Sequence, residues 1–238
     1  MAIYILIHGA WHGSWCWEEI VPKLEQLGHR VLTPDLPGRV TQNTNKFIKL
    51  KDHIDHIAQI LADCETPVVL VGHSMAGMII AQIAELYPEK VSKLIFLAAF
   101  MPINNESMFD VVQLSPLTKF GQYMRADVPT NEFHLDKAIV PEFAYHLCPA
   151  EKVVSAIARL NVEPLAPLNT KVKLAENYAR MSKVYIQCTH DRGITISAQN
   201  LLCQRVHCEV HTLNADHSPF YSNADDLVST LAYVTAIN

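Results

Sequence analysis

Gly72-His73-Ser74-Met75-Ala76-Gly77 sets a serine between two glycines, after a run of branched apolar residues from Pro67 to Val71 and before a segment of helical period from Met75 to Leu86. At a sharp turn from strand to helix a hydroxyl stands clear of its surroundings, and the glycines leave room for tightly packed backbone. With eight glycines and eleven serines in the chain, chance would supply about 0.01 such motifs. The chemistry to expect of Ser74 is nucleophilic attack on a carbonyl carbon.

A serine hydroxyl is weakly nucleophilic at neutral pH, so it requires a base, and the base requires a partner that fixes its tautomer and stabilises its charged form. For a nucleophile on such a turn the chain order is serine, acid, histidine. The candidate bases downstream are His190, His207, His211 and His217. His207 and His211, with Glu209 between them, alternate with Val206, Cys208 and Val210, the pattern of a half-buried strand with its polar face outward. His217 lies in Asn214-Ala215-Asp216-His217-Ser218-Pro219, a loop between the last strand and the last helix, at the sheet edge where Ser74 must also emerge. It is the expected general base. Asp191, in Thr189-His190-Asp191-Arg192-Gly193 after another strand, is the expected acid, because Asp216 sits beside the histidine in sequence and is poorly placed to grip the imidazole from behind. His190 reads as a surface residue. The oxyanion formed during attack needs donors. His8-Gly9-Ala10-Trp11-His12-Gly13 follows the first strand and lacks bulk at Gly9 and Gly13, so the backbone N–H groups of Ala10 and Met75 are the expected pair.

These groups need a scaffold, and the hydrophobic pattern supplies one. Short apolar runs (Ile3 to Ile7, Val31 to Thr33, Val68 to Val71, Leu94 to Ala98, Val184 to Cys188, His207 to Thr212) alternate with segments of helical period (Trp17 to Leu27, Lys51 to Asp63, Met75 to Leu86, Ile196 to Arg205, Ala224 to Ile237). Strict alternation implies an α/β fold with a mostly parallel six-stranded sheet and helices on both faces. Ser222, with Asp225 three residues on, resembles a capping box opening the last helix. The alternation breaks between Pro102 and Met181, where seven of the thirteen prolines lie. The expectation is a core of residues 1–101 and 182–238 and a cap of short helices and loops at 102–181. Phe109, Phe120, Tyr123 and Phe143 of the cap, with Gly9, Trp11, Phe220 and Tyr221 nearer the serine, are the expected substrate contacts. Apolar walls of this kind suit a small, uncharged ester.

Composition narrows the partners. The net charge is -5 and the bases are scattered singly, which argues against nucleic acid. No apolar run is long enough to span a bilayer, and the apolar start has neither a basic region before it nor a small-residue cleavage site after it, so the expected location is the cytoplasm, away from membranes. Six cysteines without a Cys-x-x-Cys pair read as free thiols. Neither a cofactor nor a metal is called for; His207, Cys208 and His211 are the weak exception. A homodimer is compatible with this composition.

Taken together, His8 to Gly13, Gly28-His29, Gly72 to Met78, Phe96-Leu97-Ala98-Ala99-Phe100-Met101-Pro102, Cys188 to Ile194, Ala215-Asp216-His217 and, in the cap, Tyr145-His146-Leu147-Cys148-Pro149 resemble the plant methyl esterase and hydroxynitrile lyase family. The resemblance implies an α/β-hydrolase core with a helical cap, a triad at Ser74, Asp191 and His217, and oxyanion donors at Ala10 and Met75. In that family the lyases carry threonine at the place of Gly9, glutamate at that of His73 and lysine at that of Ser218, so all three positions fit the esterase branch. The reading is a serine esterase acting through an acyl-enzyme. The alternatives are hydroxynitrile lyase-type carbonyl chemistry and a hormone-receptor-like binding protein on the same fold.

Overall fold

The computed structural model describes residues 1–38, 47–114 and 119–236, the side chains of residues 119 and 120 excepted. Phe120 as a substrate contact and Ile237 as the end of the last helix therefore lie outside the described residues. The strands are β1 (Ile3–Ile7), β2 (Arg30–Leu32), β3 (Val68–His73), β4 (Val91–Leu97), β5 (Met124–Asp127), β6 (Glu132–Leu135), β7 (Glu163–Pro164), β8 (Lys183–Cys188) and β9 (Glu209–Leu213). The helices are α1 (Ile20–Gln26), α2 (Leu50–Ala62), α3 (Ala76–Leu86), α4 (Met108–Val112), α5 (Val140–Ala144), α6 (Ala150–Arg159), α7 (Leu165–Asn169), α8 (Glu176–Arg180), α9 (Ile196–Arg205), α10 (Pro219–Ser222) and α11 (Ala224–Ala236).

Six strands form one sheet in the order β2-β1-β3-β4-β8-β9, and every pairing in it is parallel. The near-continuous apolar runs follow from burial on both faces. Because successive side chains of a strand point to opposite sides, Ile5, Leu70, Leu94 and Tyr185 join one core with residues of α2, α3 and α9. Tyr4, Val69, Ile95 and Val184 join a second core with residues of α1 and α11. The fold is that of an α/β hydrolase, with the loops after β1 and β3 side by side where the strand order reverses.

Three local expectations need correction. Ser222 ends the short helix α10 and its hydroxyl bonds the Ser218 carbonyl, so it does not cap α11; Asn223 instead donates to Asp226 at 2.9 Å, and Asp225 pairs with Lys23 at 2.6 Å. β9 begins at Glu209, and as an edge strand it leaves Val210 44% exposed while His211 packs edge-on to Tyr233 of α11. Its polar face is thus not simply outward. The segment from 102 to 181 carries, besides α4 to α8, a small antiparallel sheet in the order β5-β6-β7. Among the described residues no helix is long and apolar enough to cross a membrane.

Candidate active site

β3 runs into the turn at Ser74, which holds φ +54°, in the left-handed region that a residue with a Cβ rarely adopts. The turn is over-determined: Ser74 N–H donates to Leu97 C=O at 3.2 Å, and its carbonyl accepts from Gly77 N–H at 3.2 Å and Phe100 N–H at 3.0 Å. The glycines are required by contact. A Cβ on Gly72 would stand 2.8 Å from Ala76 O, and one on Gly77 would stand 2.0 Å from Phe100 O. Strain of this kind persists only where the surroundings hold it, and it aims the Ser74 side chain off the end of the sheet.

The backbone ladder between β8 and β9 continues beyond both strands, through Thr189 N–H to Leu213 C=O and His190 N–H to Ala215 C=O, each 3.0 Å. The loops carrying Asp191 and His217 are thereby fixed against each other. His217 Nε2 lies 3.1 Å from Ser74 Oγ and its Nδ1 lies 2.6 Å from Asp191 Oδ2. Asp191 Oδ1 accepts from Gly193 and Ile194 N–H groups at 2.7 and 2.8 Å, and the side chain is wholly buried. Burial disfavours charge on the His217 imidazole, but the charge of Asp191, its hydrogen bond and the more distant Asp216 outweigh that, so the pKa lies above the ordinary histidine value. Asp216, the rejected acid, points away: it accepts from Leu147 N–H at 2.8 Å and Ser218 N–H at 3.0 Å.

Four further histidine and tyrosine side chains frame this chain of groups. His73 donates from Nε2 to the His217 carbonyl at 2.8 Å, and burial, then the neighbouring His217 and His12, keep its pKa well below the ordinary value. Gly9 is small because of that ring: a Cβ there would stand 2.8 Å from His73 Nδ1 and 2.9 Å from Ser74 Cβ. His8 donates from Nδ1 to Gly9 C=O at 2.9 Å and accepts Leu36 N–H at Nε2. His12 donates from Nδ1 to Ala10 C=O at 2.7 Å, with Tyr145 Oη on its Nε2. No sequence pattern announces these roles beyond the four-residue spacing of His8 and His12 around Gly9.

Ser74, Met75, Ala10 and His217 open onto a cavity of about 140 Å³. Among the described residues neither Ala10 nor Met75 donates its N–H to another loop carbonyl. Of the expected contacts, Trp11 and Phe109 line the cavity, with Phe133 between them at 5.4 and 5.5 Å ring separation. Tyr123 and Phe143 do not line it; they pack on each other, 6.1 Å apart. Phe220 is wholly buried beneath His73, 5.2 Å away, and Tyr221 bonds Glu18, so both support the site from behind. The walls missed in the sequence include Met108, Met124, Phe133, Leu135, Ile194 and Leu202. No group of three or more histidine, cysteine or acidic side chains is arranged to hold a metal among the described residues, and His211 instead meets Glu209 at 2.7 Å.

A buried acid, an imidazole and a hydroxyl in hydrogen-bonded sequence, at the C-terminal edge of a doubly covered parallel sheet, define a class of hydrolytic α/β enzyme. The chain belongs to the alpha/beta hydrolase family, whose sequence profile matches residues 4–230. Among its curated relatives, methylesterase 9 of Arabidopsis thaliana is 30% identical over 97% of both chains. Norfluorocurarine synthase 2 of a Strychnos species is 30% identical over 98% of this chain and 94% of its own. The chain spans 64% of putative methylesterase 11, chloroplastic, of Arabidopsis thaliana, again at 30% identity and with 99% of this chain covered. Among solved structures, a pyrethroid hydrolase from Sphingobium faniae JZ-2 superposes with TM-score 0.91 at 24% identity over 99% of this chain and 98% of that one. A methylesterase from Arabidopsis superposes with TM-score 0.85 at 22% identity over the whole of both chains. At those identities the structures speak to the fold alone.

Proposed function

We propose that the chain is a carboxylic ester hydrolase that works through a Ser74 acyl-enzyme. The observation that carries this reading is the unbroken contact from Asp191 through His217 to Ser74, at 2.6 and 3.1 Å, at the floor of an apolar cavity. His217 takes the hydroxyl proton as Ser74 Oγ bonds to the ester carbonyl carbon, and the N–H groups of Ala10 and Met75 receive the oxyanion. As the tetrahedral species collapses, the bond to the alkoxy oxygen breaks and His217 returns the proton to the leaving alcohol. Water, deprotonated by the same imidazole, then attacks the acyl-enzyme, and the acid departs as Ser74 regains its proton. The methylesterase relatives support ester hydrolysis. The six free cysteines accord with the reducing cytoplasm in which we place the chain.

Among the described residues, those that line the cavity include no lysine, arginine, aspartate or glutamate, which suits an uncharged, largely apolar ester. The lyase alternative is set aside: a leaving cyanide needs a cation, and the position after His217 is the wholly buried Ser218. The test is hydrolysis of p-nitrophenyl esters of graded chain length, with and without a fluorophosphonate. Turnover should cease on labelling, with the mass shift on the Ser74 peptide, and Ser74→Ala should lower kcat on the order of 10⁶-fold. Tight ligand binding without product, unchanged in Ser74→Ala, would instead establish the receptor-like alternative.

A further inference from the structure

The loop proposed to receive the oxyanion is tied to the segment above it by bonds that the acyl-transfer steps do not use. The peptide joining Ala10 to Trp11 is gripped at both edges. Its N–H, from Trp11, donates to Glu163 Oε2 at 2.7 Å, and its C=O, from Ala10, accepts from His12 Nδ1 at 2.7 Å. Because the peptide is planar, two bonds on opposite edges fix its rotation, and with it the backbone angle that aims the neighbouring Ala10 N–H. The next carbonyl is held as well: Trp11 C=O accepts from Asn161 N–H at 2.8 Å. The indole Nε1–H donates to Phe133 C=O at 2.9 Å, and its ring stacks on Phe133.

Trp11 needs these ties. It sits at φ +61°, a left-handed conformation that is unfavourable for a residue with a Cβ and that a free loop would abandon. Glu163 is 0% exposed and pairs with Phe133 in the small sheet, where β7 meets β6. A carboxyl group is costly to bury without a hydrogen-bonding task, and this one is brought 152 positions along the chain to the amide beside the proposed oxyanion donor.

We infer that Glu163 is a positioning residue for the oxyanion hole: through the Trp11 N–H it locks the Ala10–Trp11 peptide in the orientation that presents Ala10 N–H to the transition state. The inference rests on the reading of Ala10 as an oxyanion donor. Tyr145 completes the grip from the other edge. Burial raises its pKa well above the ordinary phenol value, so its hydroxyl keeps the proton that it donates to His12 Nε2, and His12 is left to donate from Nδ1.

The experiment compares Glu163→Ala, Glu163→Asp, Glu163→Gln and Tyr145→Phe with the wild-type chain, using a p-nitrophenyl ester for kcat and KM and a trifluoromethyl ketone as tetrahedral analogue. An oxyanion donor is worth about 10²–10³ in kcat, so Glu163→Ala should lower kcat by about 10²-fold with KM within about threefold. Affinity for the trifluoromethyl ketone should fall by the same factor as kcat, and the acidic limb of the pH profile should stay where it is, because the triad is untouched. Glu163→Gln retains an acceptor for Trp11 N–H and should keep most of the activity. Glu163→Asp and Tyr145→Phe preserve burial and should lose kcat in the same pattern to a smaller extent, which decides the matter if Glu163→Ala does not fold. Wild-type kcat in the folded Glu163→Ala or Glu163→Asp protein overturns the inference, as does a loss confined to KM with analogue affinity unchanged. A wild-type chain that turns over no ester sinks both the inference and the reading beneath it, whereas an active wild type with indifferent Glu163 variants sinks the inference alone.

Discussion

The His217 imidazole is the place where burial and charge oppose each other most directly. Burial favours the neutral ring, while Asp191 at 2.6 Å and the charge of Asp216 favour the imidazolium and prevail. The form competent to accept the Ser74 proton is the neutral one, so kcat/KM should fall as pH drops through a value above the ordinary histidine pKa of about 6.5. Asp191→Asn removes the charge and misdirects the tautomer. It should shift that inflection to lower pH and lower kcat about 10⁴-fold, read from a pH–rate profile of p-nitrophenyl ester hydrolysis in both proteins. An inflection that does not move would assign the limb to another group. Ser74, Asp191 and His217 were legible in the sequence because each stands in a distinctive context: a glycine-flanked turn, or a loop just past a strand. Tyr123, Phe143 and Phe220, expected as contacts, stand outside the cavity lining, because an aromatic residue type announces burial without saying which surface it faces.

Among the elements, the loop after β9 does two tasks with adjacent residues. His217 turns toward Ser74, while the buried Asp216 turns toward the link between α5 and α6, where it takes Leu147 N–H and lies 3.5 Å from Cys148 Sγ. Burial and then that acid push the Cys148 thiol up, so it stays a neutral donor. Asp216→Ala would leave the Leu147 and Ser218 N–H groups without an acceptor, at about 1–3 kcal/mol for each such group. In a chain of this size each kcal/mol is worth about 2–4 °C in Tm, so the expectation is a fall of several degrees together with faster limited proteolysis near residues 145–150. Scanning fluorimetry and mapping of the first cleavage check it, and a wild-type melting curve with the wild-type cleavage pattern would refute the tether. The long, doubly buried strands and amphipathic helices of the core were readable because their periodicity spans many residues. The small sheet was not, since β5 and β6 have four residues each and β7 two. Phe133 and Leu135, alternating with Glu132 and His134, carry a strand signal there, and that strand supplies part of the cavity wall.

At the scale of the whole molecule, the same crowding that orders the site makes the fold sensitive to acid. His73 is enclosed by His217, Phe220, His12 and Trp17, with ring centroids between 4.8 and 6.4 Å away. Its Nε2 proton is committed to the His217 carbonyl and its Nδ1 has no hydrogen-bond partner among the described residues, so a second proton finds no acceptor. With a folded pKa well below that of the unfolded chain, His73 contributes stability that is present above about pH 6.5 and is lost as pH falls below it, because there the unfolded chain binds a proton that the folded one refuses. The limiting slope is about 1.4 kcal/mol per pH unit. His217 acts in the opposite sense: its raised pKa gives stability that is complete below the unfolded value and is lost as pH rises through the folded one. The wild-type slope is the resultant of such terms, so a comparison isolates His73. His73→Gln keeps a donor for the His217 carbonyl and cannot titrate. Urea midpoints measured from pH 7.5 down to pH 5 should therefore fall less steeply in His73→Gln than in the wild type, and equal slopes in the two proteins would show that the acid sensitivity of this fold resides elsewhere.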